Sequence, residues 1–264
     1  MATTDHATLT RGTLELSGRL LPASNLTFTG DVVGEGASLR CVYKPVSGER
    51  PLWDFPDGSL AAREVAAYVV SEALGWDVVP PTVLREGPLG PGMVQLWREP
   101  DADQDPVDLV QAGKVPRGYL HVLDAVDHRD RPVSLVHEDS VPLRRMAVFD
   151  IVVNNADRKG GHVLAMPDGH RYGVDHGVTF HEEDKLRTVL WGWAEQPLDR
   201  EDASAVEALL ADLRTGGSRL LARLESLLDA AEVQALAARC ERLLVTRRMP
   251  LPSGSWPAIP WPAF

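Results

Sequence analysis

The chain has 264 residues, 44% apolar and 25% charged, a composition ordinary for a globular protein with one large core or two closely packed lobes. Its 38 acidic residues outnumber 27 Lys and Arg, giving a net charge of −11. That balance argues against nonspecific binding to nucleic acid or to an anionic membrane, both of which need a basic surface.

At the N-terminus, MATTDHATLTRGTLELSG lacks a basic stretch followed by an apolar core, so no secretory signal is expected. From residue 12 to about 46, short apolar or alternating runs separated by Gly and Asn predict antiparallel strands, with Gly34 and Gly36 in the turn GEGAS. SLAAREVAAYVVSEALGW has helix composition, with Ser59 as the expected N-cap and Gly75 as the stop. VVPPTVL and GMVQLW predict two more strands, and the Pro- and Asp-rich REPDADQDPVD that follows predicts a linker.

Beyond the linker the pattern changes. DSVPLRRMAVFDIVVNN is apolar on one face, with Arg144 and Arg145 lying away from Met146, Phe149 and Ile151. REDASAVEALLADLR, GSRLLARLESLLD and AAEVQALAARCERLLVTRR repeat apolar residues at helical spacing. The tail MPLPSGSWPAIPWPAF is too rich in proline for helix or central strand; either its two Trp pin it to the body or it is an exposed docking segment for a protein partner. No apolar run reaches the roughly 20 residues that span a bilayer. The two cysteines, Cys41 and Cys240, lie in apolar patterns and are expected as buried thiols in a reducing compartment, hence a cytoplasmic location. The expected layout is α+β and two-lobed: an N-lobe over 1–98, a linker over 99–108, a mostly helical lobe over 109–249 and a tail over 250–264.

The chemistry concentrates between residues 148 and 181, where the apolar runs IVV and YGV each deliver an acid onto a glycine-bearing turn: Asp157 in NADRKGGH and Asp175 in VDHG. A carboxylate fixed at the end of a buried segment suits a metal ligand or a catalytic base. Each acid alone is better explained as a cap of its own turn. Together they point to one site, because the segment between them has the pattern of a hairpin that would return the second acid beside the first. Four histidines, His162, His170, His176 and His181, lie in the same stretch.

The order Asp-Arg, three residues, a ligand position and two apolar residues, then an apolar strand and Asp-x-Gly, resembles the catalytic and metal-binding loops of the phosphatidylinositol 3-/4-kinase family. It is also similar to the HipA-type kinases of the broader protein-kinase-like fold. The resemblance spans about residues 25 to 195 and extends to a small actinobacterial branch of unassigned substrate. It implies a bilobal protein-kinase-like fold in which ATP, with Mg²⁺ or Mn²⁺, lies between the lobes and a γ-phosphoryl group passes to a hydroxyl.

By the same resemblance Asp157 would face the acceptor hydroxyl and Asp175 would hold the metal, with His162 where such kinases carry Asn. Imidazole suits Mn²⁺ better than Mg²⁺, so His162 would ligate metal, contact phosphate or mark weakened catalysis. Lys44, ending the strand CVYKP, would reach the ATP phosphates, with Glu64 as its partner and Glu72 as a second candidate. Gly34 and Gly36 would form a glycine-rich phosphate cover, and Gln95, Leu96 and Trp97 would meet adenine. Lys159 and Arg158 would meet a phosphate, or Arg158 would orient the catalytic loop. The acceptor is left open: an inositol-type small molecule, a lipid or a protein hydroxyl. Two other readings compete: a nucleotide-binding pseudokinase acting as a regulator, and a metal-dependent phosphohydrolase built on the histidines and Asp175.

Overall fold

A computed structural model describes the chain except residues 1, 22, 23, 35, 57, 58 and 255, and omits the side chains of residues 2–4. Helix α1 (Ala2–Arg11) precedes strands β1 (Thr13–Arg19), β2 (Phe28–Gly34) and β3 (Ala37–Pro45). Helix α2 (Leu60–Leu74) follows, then the hairpin β4 (Thr82–Gly87) and β5 (Gly90–Leu96). These strands form one antiparallel sheet in the order β1-β2-β3-β5-β4. Helix α1 was not anticipated: it has few apolar residues, and among its described side chains Leu9 alone is fully buried, against the sheet's own core.

Helix α2 ends as expected, at Gly75 in the left-handed conformation (φ 69°). Its start differs. The Ser59 hydroxyl donates to Pro56 O rather than capping, and the first free amides of the helix, at Leu60 and Ala61, are taken by the carboxylate of Glu49 (3.0 and 2.8 Å). The helix is buried on nearly all sides because it packs between the sheet and the second lobe. Arg63 donates to Thr179 O (3.1 Å) and pairs with Glu232.

Residues 98–106 cross to the second lobe without regular structure, held where Asp101 N donates to Ala165 O (2.8 Å). Strands β6 (Val107–Gln111), β7 (Tyr119–Val126) and β8 (Pro132–Glu138) then form a three-stranded sheet, β6-β8-β7. The sheet adds three strands to the mostly helical lobe expected from 109 onward. The outer strand β7 has no buried residue and its apolar residues fall in pairs rather than in alternation, and only β8 has a continuously buried run. Helices α3 (Val141–Val153), α4 (Arg200–Arg214), α5 (Arg219–Glu225) and α6 (Ala230–Thr246) complete the lobe, with a two-stranded hairpin, β9 (Val163–Ala165) and β10 (Arg171–Gly173), between α3 and α4. Met146 and Phe149 of α3 enter the core, while Arg144 and Arg145 turn outward to Asp199, Glu201 and Asp202. The architecture is thus α+β and bilobal, a small antiparallel sheet with one spanning helix above a larger helix-rich lobe.

Both cysteines are buried and unpaired, and burial pushes their thiols up, to about 11 for Cys41 and about 12 for Cys240. Among the described residues no helix is long and apolar enough to cross a membrane.

One buried histidine ties the second sheet to the segment at 191–193. His137 is fully buried; its Nε2 accepts from Gly192 N (2.9 Å), its Nδ1 meets Glu138 O (2.9 Å), and its ring lies 4.2 Å from that of Trp193. Burial lowers its pKa, although the Glu138 carbonyl and the carboxylates of Asp139 and Glu138 oppose the shift. A folded pKa below the unfolded value near 6.5 means that the unfolded chain binds the extra proton first. Stability is therefore complete above about pH 6.5 and falls as pH drops toward the folded pKa, by at most about 1.4 kcal/mol per pH unit for one group. Urea midpoints measured from pH 7.5 to 5.5 should fall less steeply in His137→Gln than in the parent. Parallel curves would show that His137 does not titrate on unfolding.

Candidate active site

Strand β3 alternates between two environments. Cys41 and Tyr43 face the core of the small lobe, while Val42 and Lys44 line a cleft of about 600 Å³ between the lobes. Lys44 Nζ is bonded to Glu64 Oε1 and to Asp175 Oδ1, each at 2.7 Å. The other oxygen of Glu64 accepts from His176 N (2.8 Å), so one α2 carboxylate fixes both the lysine and the turn that follows Asp175. Glu72 is on the exposed side of α2 and has no part in this contact. Burial by itself would push the Lys44 ammonium down, but the two carboxylates outweigh it and hold it well above its ordinary value. The Lys44 ammonium in turn holds the half-exposed Asp175 carboxyl below the ordinary carboxylate range, overcoming partial desolvation.

The second lobe supplies the opposite wall. Helix α3 is capped by Ser140 and ends at Asn154 in the left-handed conformation (φ 55°), which turns the chain into the Asp157 loop. Asn155 braces that loop twice: its Oδ1 accepts from Asp157 N (2.9 Å) and its Nδ2 donates to Asp150 Oδ1 (3.0 Å). Asp157 lies with Lys159 Nζ 3.3 Å from its Oδ2. Burial raises its pKa, and Lys159 opposes the shift. The β9-β10 hairpin then returns the chain to place Asp175 in the same cleft as Asp157. Asp175 adopts φ 63°, a conformation that costs a residue with a side chain about 1 kcal/mol or more and is held by the surrounding bonds.

Arg158 does not face a phosphate. It is fully buried, with Nε and Nη2 on Asp150 (2.8–3.2 Å), Nη1 on the carbonyls of His162 and Val174 (3.3 and 3.2 Å), and Nη2 2.6 Å from His176 Nε2. Gly173 makes room for it, since a Cβ there would fall 2.9 Å from Nη2. The residue therefore joins the two acid-bearing loops from beneath, and of the two roles expected for it, contact with a phosphate or orientation of the loop, its burial fits the second. His162 Nε2 lies 3.5 Å from Asp175 Oδ2, and its Nδ1 faces Lys159 N at the same distance. Burial lowers the His162 pKa to about 4, with Asp175 opposing, so the ring is neutral near pH 7.

Gln95, Leu96 and Trp97 line the cleft, but two of their amides are already used: Leu96 N donates to Pro81 O and Trp97 N to Arg40 O, both at 2.9 Å. The Gln95 side chain is likewise occupied, donating to Thr82 Oγ1 (2.9 Å).

The glycine turn was assigned to the wrong hairpin. Gly34 and Gly36 lie at the opposite end of β3 from Lys44; Gly34 packs near Thr8 of α1, and neither glycine lines the cleft. The β1-β2 connection covers the site instead, with Ser24, Asn25 and Thr27 in its wall. It carries no glycine, which is why composition did not reveal it.

Two further residues enter the cleft unannounced. Arg98, beside the crossing segment, stacks over Tyr172 (4.8 Å), and its Nε is buried without a partner. Phe264 of the tail reaches the wall near Asp157: Gly160 N donates to Ala263 O (2.8 Å), and a Cβ on Gly160 would strike the Phe264 ring at 2.3 Å. The tail is pinned earlier too, with Ala258 O accepting from Thr188 N and Trp191 Nε1 (3.0 and 2.9 Å). Trp256 packs near Trp53 and over Lys185, whereas Trp261 is exposed.

The histidines do not converge. His170 bonds Asp77 O on the hairpin, His181 packs edge-on against Phe55, and His176 is buried beneath the loops. Among the described residues no group of three or more His, Cys, Asp or Glu is gathered to hold a metal ion.

No family model matches the sequence. A crystal structure of the Helicobacter pylori proinflammatory kinase CtkA superposes with a TM-score of 0.46 at 11% identity, over 91% of this chain and 94% of that one. Protein Rv2133c of Mycobacterium tuberculosis is 53% identical over 269 residues, covering 98% of this chain and 95% of the relative. At that identity and coverage, the chain belongs to the same family as Protein Rv2133c.

Proposed function

We propose that the chain is an ATP-dependent phosphotransferase that moves a γ-phosphoryl group to a hydroxyl. The observation that carries this reading is the Lys44 ammonium held between Glu64 and Asp175 in an interlobe cleft that also contains Asp157. A lysine fixed by a helix carboxylate suits the α- and β-phosphates, and Val42, Leu164 and Val174 supply apolar surface for a base.

In the reaction the acceptor oxygen attacks the γ-phosphorus, its proton passes toward Asp157, and the bond from that phosphorus to the bridging oxygen breaks to release ADP. Asp157 is oriented for this by Asn155, and its partial burial strengthens it as a proton acceptor. Lys159 lies beside it to meet the negative charge of the transferring group.

The donor set fits a divalent ion completed by phosphate oxygens and water better than a permanently held zinc, since Mg²⁺ is usually bound by only one or two carboxylates plus substrate. Asp175 would hold it, and the ion would neutralise phosphate charge during transfer. The contact at His162 Nδ1 leaves the ring proton on Nε2, which favours donation to Asp175 or a phosphate oxygen over metal ligation. The regulator reading keeps some support, because Lys44 pairs directly with Asp175 and Phe264 stands in the cleft wall.

Calorimetric titration with ATP alone, with Mg²⁺ and with Mn²⁺ tests the site, and a single-turnover assay of γ-phosphate loss separates enzyme from regulator. Metal-dependent binding with transfer is the expected result. Binding without transfer would favour the regulator, and no binding under any condition would remove the nucleotide reading. His162→Ala should weaken ATP without reversing any preference between Mg²⁺ and Mn²⁺; an unchanged titration would take His162 out of the site.

A further inference from the structure

A second cavity, of about 470 Å³, opens on the larger lobe between α3, the segment around 184–195, α6 and the start of the tail. Its volume is in the range of small-molecule sites. Ile151, Leu243 and Met249 give it an apolar surface, and Arg239 lies in its wall.

Arg239 is an unusual residue to find there. Only 3% of it is exposed; Nε donates to Val152 O (2.9 Å), Nη1 to His181 O (3.2 Å), and the buried Nη2 has no partner. No carboxylate pairs with it among the described residues. The two nearest acids are committed elsewhere, Asp184 to Arg242 (2.8 Å) and Glu232 to Arg63. A guanidinium is rarely buried without a counter-ion, because its desolvation is otherwise uncompensated. Burial, aided by Arg242 and opposed by the carboxylates of Asp184 and Glu232, brings its pKa down to about 10, still far above neutrality, so the charge persists. Arg242 and Arg248 also line the cavity, Arg242 paired with Asp184 and Arg248 bonded to Glu195 O (2.6 Å), so that three arginines stand against two acids, Asp184 and Glu195, in its wall.

We propose that this cavity binds a small organic anion, its carboxylate or phosphate monoester supplying the counter-ion that Arg239 lacks and its apolar part resting on Ile151, Leu243 and Met249. The inference is independent of the nucleotide site. The cavity is nonetheless linked to the catalytic loop, since His181 O also accepts from Asn154 Nδ2 (2.9 Å), the residue that ends α3.

Thermal unfolding of the full chain with 10 mM phenyl phosphate, phenylacetate or benzyl alcohol tests the proposal. At least one anion should raise the midpoint by about 3 °C, and which one acts identifies the acid group; the neutral alcohol should not. The shift should persist in Lys44→Met, which removes the cation of the interlobe cleft, and vanish in Thr246→Trp, which places a bulky side chain in the cavity wall. Arg242→Glu, at an exposed position, should lower the anion's affinity about tenfold and serves if the bulky variant does not fold. No shift with either anion, an equal shift with benzyl alcohol, or an unchanged shift in both cavity variants would overturn the assignment. Loss of the shift in Lys44→Met would place the anion in the interlobe cleft and overturn it equally.

Discussion

Asp175→Ala should abolish metal-dependent ATP binding, while Asp157→Ala should leave binding within about twofold and slow transfer by about 10²–10⁴-fold, the range expected for loss of a positioned proton acceptor. The contrast follows from what each carboxylate touches. Asp175 shares the Lys44 ammonium with Glu64 and presents its second oxygen toward His162, at the point where an ion on the phosphates would lie. Its removal leaves Lys44 paired with Glu64 alone, so ATP without metal should bind as well as before or better, one repelling charge having gone. Asp157 has no contact with Lys44, and its nearest charged neighbour is Lys159. Calorimetry with and without Mg²⁺, paired with single-turnover transfer, reads both effects on the same preparations. The reverse pattern, with Asp157→Ala losing the nucleotide and Asp175→Ala keeping it, would exchange the two roles.

The helices of the larger lobe and the Asp157 and Asp175 turns were legible in the sequence because their signals are local: apolar spacing for α3, α4, α5 and α6, and an acid at the end of a buried run for each turn. The pairing of Lys44 with Glu64 was reachable from spacing and resemblance, but the choice of Glu64 over Glu72 depends on which side of α2 meets the sheet. That is a tertiary fact, since the helix is buried almost all round and has no single apolar stripe to orient it. The phosphate cover was misplaced for a related reason. Glycine marks permissive backbone, and the β2-β3 turn uses it merely to reverse direction, whereas the β1-β2 connection reaches the cleft with Ser24, Asn25 and Thr27. The three-stranded sheet escaped notice because β6 and β7 hold one buried residue between them and the apolar residues of β7 do not alternate. The cap on α2 from Glu49, the arrival of Phe264 beside Gly160 and the burial of Arg158 rest on contacts between residues far apart in the chain, which a linear pattern does not record.

Breaking the Asp150–Arg158 pair should cost more stability than any other single change considered above. Both side chains are completely buried, and the guanidinium spends its donors on one carboxylate, two carbonyls and His176. Asp150→Ala would leave a cation without its counter-ion in a dry interior, a loss of about 3–5 kcal/mol. For a chain of this length that corresponds to a midpoint lowered by on the order of 10 °C. Asp150 also accepts from Asn155 and faces Thr188 Oγ1 (3.4 Å), so the loop that aims Asp157 would lose its brace together with the charge. Arg158→Lys should be nearly as damaging, because an ammonium cannot span Asp150 and both carbonyls at once. Replacing both residues, as Asp150→Leu with Arg158→Met, should destabilise less than the sum of the single changes, since no unpaired charge remains buried. Melting curves of the four proteins decide the matter. A full-strength fold in Arg158→Lys, with weakened ATP affinity as its only defect, would return Arg158 to the phosphate contact that its burial argues against.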